Sequence, residues 1–158
     1  MLESEKCIGN VEIIIKDNDN NILDVIRKQN TVLNIGKAAL CKCLGNQIDT
    51  DFDFYVQNLL ISDGGVDGSG NPLVVSAERT GMFNTVLLTI PVFSSISGTF
   101  NNMITFTSTI SSSMGNGNQL SEAALQLADG SLYSITTFGA ISKTSAISII
   151  FNWTVSFI

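Results

Sequence analysis

The chain reads as a mainly β protein, an antiparallel β-sandwich of jelly-roll-like type with one short helix, and three observations predict it. Residues 146–158 alternate over most of their length, with Ile147, Ile149, Phe151, Trp153, Val155 and Phe157 on one side and Ser148, Asn152, Thr154 and Ser156 on the other. That is the two-residue period of a strand with one buried face. Seven or eight strand-like segments recur at short spacing between Gly-, Asn- and Ser-bearing connectors, which suits a sandwich rather than an alternating βαβ sheet. Asp129-Gly130 between two apolar runs is a tight-hairpin signal.

In order, Val11–Lys16 and Ile22–Gln29 flank the turn run Asp17-Asn18-Asp19-Asn20-Asn21 and read as a hairpin. Three consecutive isoleucines, Ile13 to Ile15, suit a strand covered on both faces. Residues 33–44 carry helix formers that place Ile35, Ala39, Leu40, Cys43 and Leu44 on one face. Asn34 is the expected N-cap and Gly45 the left-handed stop. Residues 46–55 form an acidic, aromatic-bearing loop and Val56–Ser62 a strand. Residues 63–72 hold four glycines and a proline, a long exposed loop expected to be flexible. Strands are expected at 85–94, 102–110, 120–127, 132–138 and 146–158. The whole chain, 1–158, reads as a single domain, with residues 1–9 as an N-terminal arm.

Charge is distributed unevenly. Of twenty-two formal charges, the half from 81 to 158 holds only Glu122, Asp129 and Lys143. A freely diffusing monomer normally spreads charge over its surface, so neutral Ser/Thr-laced strands predict sheets whose outer faces other subunits cover. The net charge of −6, with eight scattered Lys and Arg, offers no phosphate-neutralising patch, and nucleic acid is not an expected partner. Arg27-Lys28 and Lys37 to Lys42 read as solvated faces. No stretch has the length and apolarity of a membrane span, and the acidic first residues do not read as a secretory leader. Three cysteines without disulfide spacing read as free thiols made in a reducing cytoplasm. The absence of histidine removes the commonest general base and zinc ligand, so no enzymatic activity, cofactor or metal is expected.

The polar clusters carry competing readings. Asp17 to Asn21 opens like a calcium loop, but Ile22 and Lys28 stand where an EF-hand requires Gly and Glu, which leaves a hairpin turn. Asp49, Asp51 and Asp53 share a face of an extended chain, suited to a hard cation, to a basic partner, or to water alone. Cys41 and Cys43 lack further soft ligands and read as buried small hydrophobes. Residues 63–70 lack the Gly-Lys-Ser/Thr ending of a phosphate loop. Glu122 and Arg79 are isolated charges near apolar segments, either an ion pair tying the loop before Gly81 to the strand at 120–127 or two separate surface charges. Trp153 reads as core.

Gln29-Asn30-Thr31-Val32 followed by Asn34-Ile35-Gly36-Lys37-Ala38-Ala39-Leu40 is similar to the opening of small structural proteins of tailed bacteriophages. Leu59-Leu60-Ile61-Ser62-Asp63-Gly64 resembles that family's strand-to-loop step, and Glu78-Arg79 the pair beyond its variable loop. Leu120 to Leu125, Asp129 to Ser134, Thr137-Phe138, Lys143-Thr144 and Ile149 to Phe157 resemble its closing third. Ala124 stands where the family usually has Gly, and Ser134 where an Arg often falls. The resemblance, over residues 10–158, implies a virion component. The expectation is a capsid auxiliary (decoration or cement) protein of jelly-roll type, made in a bacterial host's cytoplasm and carried on the capsid exterior. Its partners would be the major capsid protein or other virion proteins and copies of itself. The alternatives are a tail, collar or fibre-base subunit forming a homo-oligomer, or a glycan-binding adhesion module built on Phe52, Phe54 and Tyr55.

Overall fold

A computed structural model describes residues 7–45 and 54–158. Ten strands form two five-stranded antiparallel sheets: β1 (Cys7–Asp17), β2 (Ile22–Gln29), β3 (Thr31–Val32), β4 (Val56–Ser62), β5 (Leu88–Pro91), β6 (Phe93–Ser97), β7 (Met103–Ile110), β8 (Gln119–Leu127), β9 (Leu132–Ser142) and β10 (Ile147–Phe157). One helix, α1 (Asn34–Leu44), lies between β3 and β4. The first sheet runs β2-β1-β10-β7-β6 and the second β3-β9-β8-β4-β5. The β-sandwich expected from the sequence is the fold. β1 pairs with β10, β3 with β9 and β4 with β8, the nesting of a rolled-up hairpin. The last two pairs share one sheet, so the alternation between sheets that would complete a jelly roll is not seen.

The inward-facing residues of both sheets build the main core. Val11, Ile13, Phe106, Phe151 and Trp153 of the first sheet pack with Leu59, Ile61, Leu125 and Phe138 of the second. Trp153 is fully buried. With Asn30's amide oriented to satisfy its neighbours, its oxygen accepts from Trp153 Nε1 and Ser134 Oγ, both at 3.2 Å, and its nitrogen donates to Gly9 O at 2.6 Å. A single carboxamide at the margin of the core thus ties the first sheet to the second.

Three hairpins repeat one local solution. Asp17 N–H donates to Asn21 O, Asp67 N–H to Asn71 O and Leu127 N–H to Ser131 O, and the last residue of each loop, Asn20, Gly70 or Gly130, has positive φ. This is a three-residue loop with a type I turn closed by a left-handed residue. Within residues 63–72, Asp67 accepts the N–H groups of Ser69 and Asn71 at 2.8 and 2.9 Å.

Several boundaries differ from expectation. Residues 7–9, assigned to an arm, pair with β10 as Cys7↔Phe157 to Gly9↔Val155. The segment 85–94 divides, because Pro91 cannot donate to a ladder and Val92 carries the chain from one sheet to the other, its N–H bonded to Gln57 O. β9 runs on past Gly139 to Ser142. The helix has no side-chain N-cap: Asn34 is its first residue, and its N–H donates to Ala77 O. Gly45 has φ −79°, not the left-handed value. Its buried residues are Gly36 and Ala39, while Ile35, Cys41 and Cys43 are exposed. The reason is close approach: α1 crosses β9 where Gly36 lies against the backbone of Tyr133, so the smallest side chains face the sheet and the larger ones fall to the side. Ile14 is not covered by a second layer among the described residues; half-buried, it lies on the outer face beside Val25 and Ile150.

Candidate assembly surface

The two sheets present very different outer faces. On the second sheet, Leu60 of β4, Ala124 of β8 and Leu132 and Ile135 of β9 form a second apolar cluster with Leu33, closed over by Val75 and Met82. Those two side chains come from the connection between β4 and β5. Thr137 Oγ1 donates to Leu73 O at 2.6 Å and Thr31 Oγ1 to Val75 O at 3.4 Å, which fixes the connection across the sheet. The chain covers this face itself.

Glu122 anchors that cover. Fully buried, it accepts from Ser62 Oγ at 2.9 Å and from Phe83 N–H at 2.7 Å. Gly64 N–H donates to Ser62 Oγ, and Gly65 N–H to Ser121 Oγ. Each buried oxygen thus has partners, the condition under which a buried carboxylate is tolerated. Neither alternative for these charges holds as stated: Glu122 is buried, and it does not pair with Arg79. Arg79 instead donates to Gly81 O and Met82 O and stacks 3.6 Å from the Phe83 ring centroid. Both residues hold the 79–83 segment, Glu122 through the Phe83 amide and Arg79 through two backbone carbonyls. A sequence shows the charges but not which backbone groups they reach.

Lys143 is the second fully buried charge. Its Nζ donates to Thr144 O at 2.8 Å, Asn116 Oδ1 at 2.9 Å and Ser112 O at 3.4 Å, fastening the 111–118 loop around it. Burial holds its ammonium below the ordinary lysine range. With Glu122 and Lys143 inside, Asp129 is the only formal charge that residues 80–158 place on the surface.

The outer face of the first sheet has no such cover among the described residues. Across β10 and β7 it presents Asn152, Thr154, Thr105 and Thr107, cross-linked by Thr105 Oγ1–Thr154 Oγ1 at 2.9 Å and Thr107 Oγ1 to Asn152 Oδ1 at 3.0 Å. β6 continues it as an edge strand with every residue exposed. Phe93, on the same side as Thr107, is 79 % exposed and Phe100 at the hairpin tip 84 %, while Ile96, 67 % exposed, stands opposite Ile104 on the inner side of the sheet. Charge returns only on β1 and β2, where Arg27 pairs with Glu12 at 2.9 Å.

The other polar candidates serve the fold or fall outside it. The Asp17 carboxylate is occupied by the N–H groups of Asp19 and Asn21 and by Asn21 Nδ2, and these bonds, the Asn21 side chain first, hold it below the usual carboxylate range. Asp67 is held low in the same way, chiefly by Asn71. Asp49, Asp51, Asp53 and Phe52 lie outside the described residues. Among the described residues no cluster of three metal-ligating side chains occurs, and no helix is long and apolar enough to cross a membrane. Cys41 and Cys43 are exposed rather than buried, and Cys7 Sγ lies 3.5 Å from Tyr133 Oη. Phe54 and Tyr55 line an apolar cavity of about 290 Å³ with Ala39, Ile104 and Phe106, and Lys42 sits 5.3 Å from the Phe54 ring centroid.

The fold and this surface define a two-sheet β-sandwich with one outer face covered by its own chain and the other uncovered among the described residues. No family model, curated protein or solved structure matches the chain.

Proposed function

We propose that the chain is a non-enzymatic structural protein of a tailed-bacteriophage virion, a capsid auxiliary protein that seats on the assembled major-capsid lattice. The observation that supports this reading most is the bare, uncharged outer face of β10, β7 and β6, on a molecule that buries two of the three charges of its second half. A neutral face that must not repel a neighbour costs little to desolvate compared with a charged one. The family resemblance supplies the partner. Binding only to the assembled shell, such a protein stabilises the shell by mass action, and seats bridging adjacent capsomers raise occupancy further.

The test is to add the purified chain to undecorated heads. Saturable binding and a raised head-rupture temperature are expected. Absence of binding with an unchanged rupture temperature would overturn the proposal. A second reading, a tail, collar or fibre-base subunit forming a closed ring, is favoured by the exposed β6 edge. It requires on the order of a dozen copies per particle, as ring symmetry implies, where decoration requires hundreds. Quantifying copies in intact particles separates the two.

A further inference from the structure

We infer that β6 is a self-pairing edge: two copies of this chain join β6 to β6 antiparallel about a two-fold axis near Ser95, merging their first sheets into one continuous sheet. A sheet edge presents unpaired N–H and C=O groups that template another strand unless something blocks them. The other three edges are blocked or short. β2 carries Asp24, Arg27 and Lys28, β3 has two residues, and β5 has four and ends in Pro91. β6, Phe93-Ser94-Ser95-Ile96-Ser97, has no charge, no proline and no described residue on its outer edge.

A second copy is the occupant that fits. In a pair centred on Ser95, Phe93 stands opposite Ser97 of the second copy and Ile96 opposite Ser94, so each large side chain meets a small one. Ser95 meets its own equivalent. The isologous contact closes at two copies and leaves no further edge of this kind. Electrostatics agree. The chain's net charge of −6 opposes self-association in general, but residues 80–121 carry no charge. β2, the charged edge, lies four strand spacings from β6. In the joined sheet the two β2 strands stand nine spacings apart, about 43 Å, far beyond the ~8 Å screening length at physiological salt. This inference deepens the assembly reading by naming the surface between copies, and it does not require the capsid as partner.

Sedimentation equilibrium of the full chain is the primary test. A dimer is expected at roughly 0.1 mM, a range that even a weak strand-to-strand contact populates. Ile96→Lys and, separately, Ser94→Pro are expected to give monomers with unchanged far-ultraviolet dichroism, since both sites are exposed on an edge strand and their N–H groups face away from β7. In a Cys7→Ser, Cys41→Ser, Cys43→Ser background, Ser95→Cys is expected to form a disulfide-linked dimer under mild oxidation, and Thr109→Cys at the far end of β7 is not. A wild-type chain that stays monomeric, or a dimer that survives both β6 substitutions, would overturn the pairing. A monomer that still binds heads would remove this inference and leave the proposed function standing; a β6-dependent dimer that ignores heads would do the reverse.

Discussion

The outer faces of the two sheets have much the same raw material, apolar residues alternating with Ser, Thr and Asn, and end in opposite conditions. On the second sheet the chain lays its own 73–83 segment over Leu60, Ala124 and Ile135. On the first, the Thr105, Thr107, Asn152 and Thr154 ladder is left open. Neutral composition therefore has two causes in one molecule. Half of it reflects a second layer the chain supplies itself, and only the remainder is available for another subunit.

The sharpest way to break this comparison is to truncate the same residue type on both faces. Ile135→Ala, beneath the cover, is expected to cost about 2–5 kcal/mol in urea unfolding, because the cavity it leaves has walls on every side. Ile150→Ala, on the open face, is expected to stay below about 1 kcal/mol. Equal costs would mean that the first sheet is covered as well.

Next in size, Glu122→Ala removes the acceptor of Ser62 Oγ and Phe83 N–H and is expected to cost about 2–3 kcal/mol. Limited proteolysis of this variant should cut first within residues 73–87, the detached cover. Cleavage elsewhere would show that Glu122 does not anchor it.

Lys143→Met tests the other buried charge, and it does so through pH. A lysine held below its ordinary value binds its proton less tightly folded than unfolded. Its contribution therefore makes wild-type stability rise with pH from the lowered value up to about 10.5, the ordinary lysine value. Lys143→Met should abolish that rise, while leaving Ser112 O and Thr144 O short of a donor. Denaturant midpoints across the alkaline range read the effect; an identical pH slope in the variant would refute the assignment.

The smallest expected effect comes from two aspartates. Asp17 and Asp67 are held below the ordinary carboxylate value of 3.8. The stability they add is therefore complete above it and is lost as pH falls below it. Asp17→Asn and Asp67→Asn should each lower stability slightly at neutral pH and converge with the wild type as pH falls, which flattens the acid limb of the curve in denaturant midpoints.

Much of the architecture was legible because it depends on local chemistry. Residues 147–157 alternate as they do because a strand with one buried face admits little else, and β4 falls at Val56–Ser62 as its apolar run requires. The repeated Asp-to-Asn loops, Asp17–Asn21 and Asp67–Asn71, use one set of bonds that the Gly-rich look of the second conceals. What sequence misjudged are sites where a distant segment decides. Cys41 and Cys43 read as small buried hydrophobes but are exposed, because Gly36 is the residue that fits against Tyr133. Arg79 and Glu122 look like partners by charge, yet each finds the main chain first.

The strand-forming pattern, the turns and the shortage of charge after residue 80 were properties of the sequence alone, since propensity, period and charge count need no partner. Which neutral strands receive a cover, and which edge stays bare, was decided only when the chain closed on itself. Burial is a relation between segments far apart in sequence, and the connection from β4 to β5 lies across the second sheet.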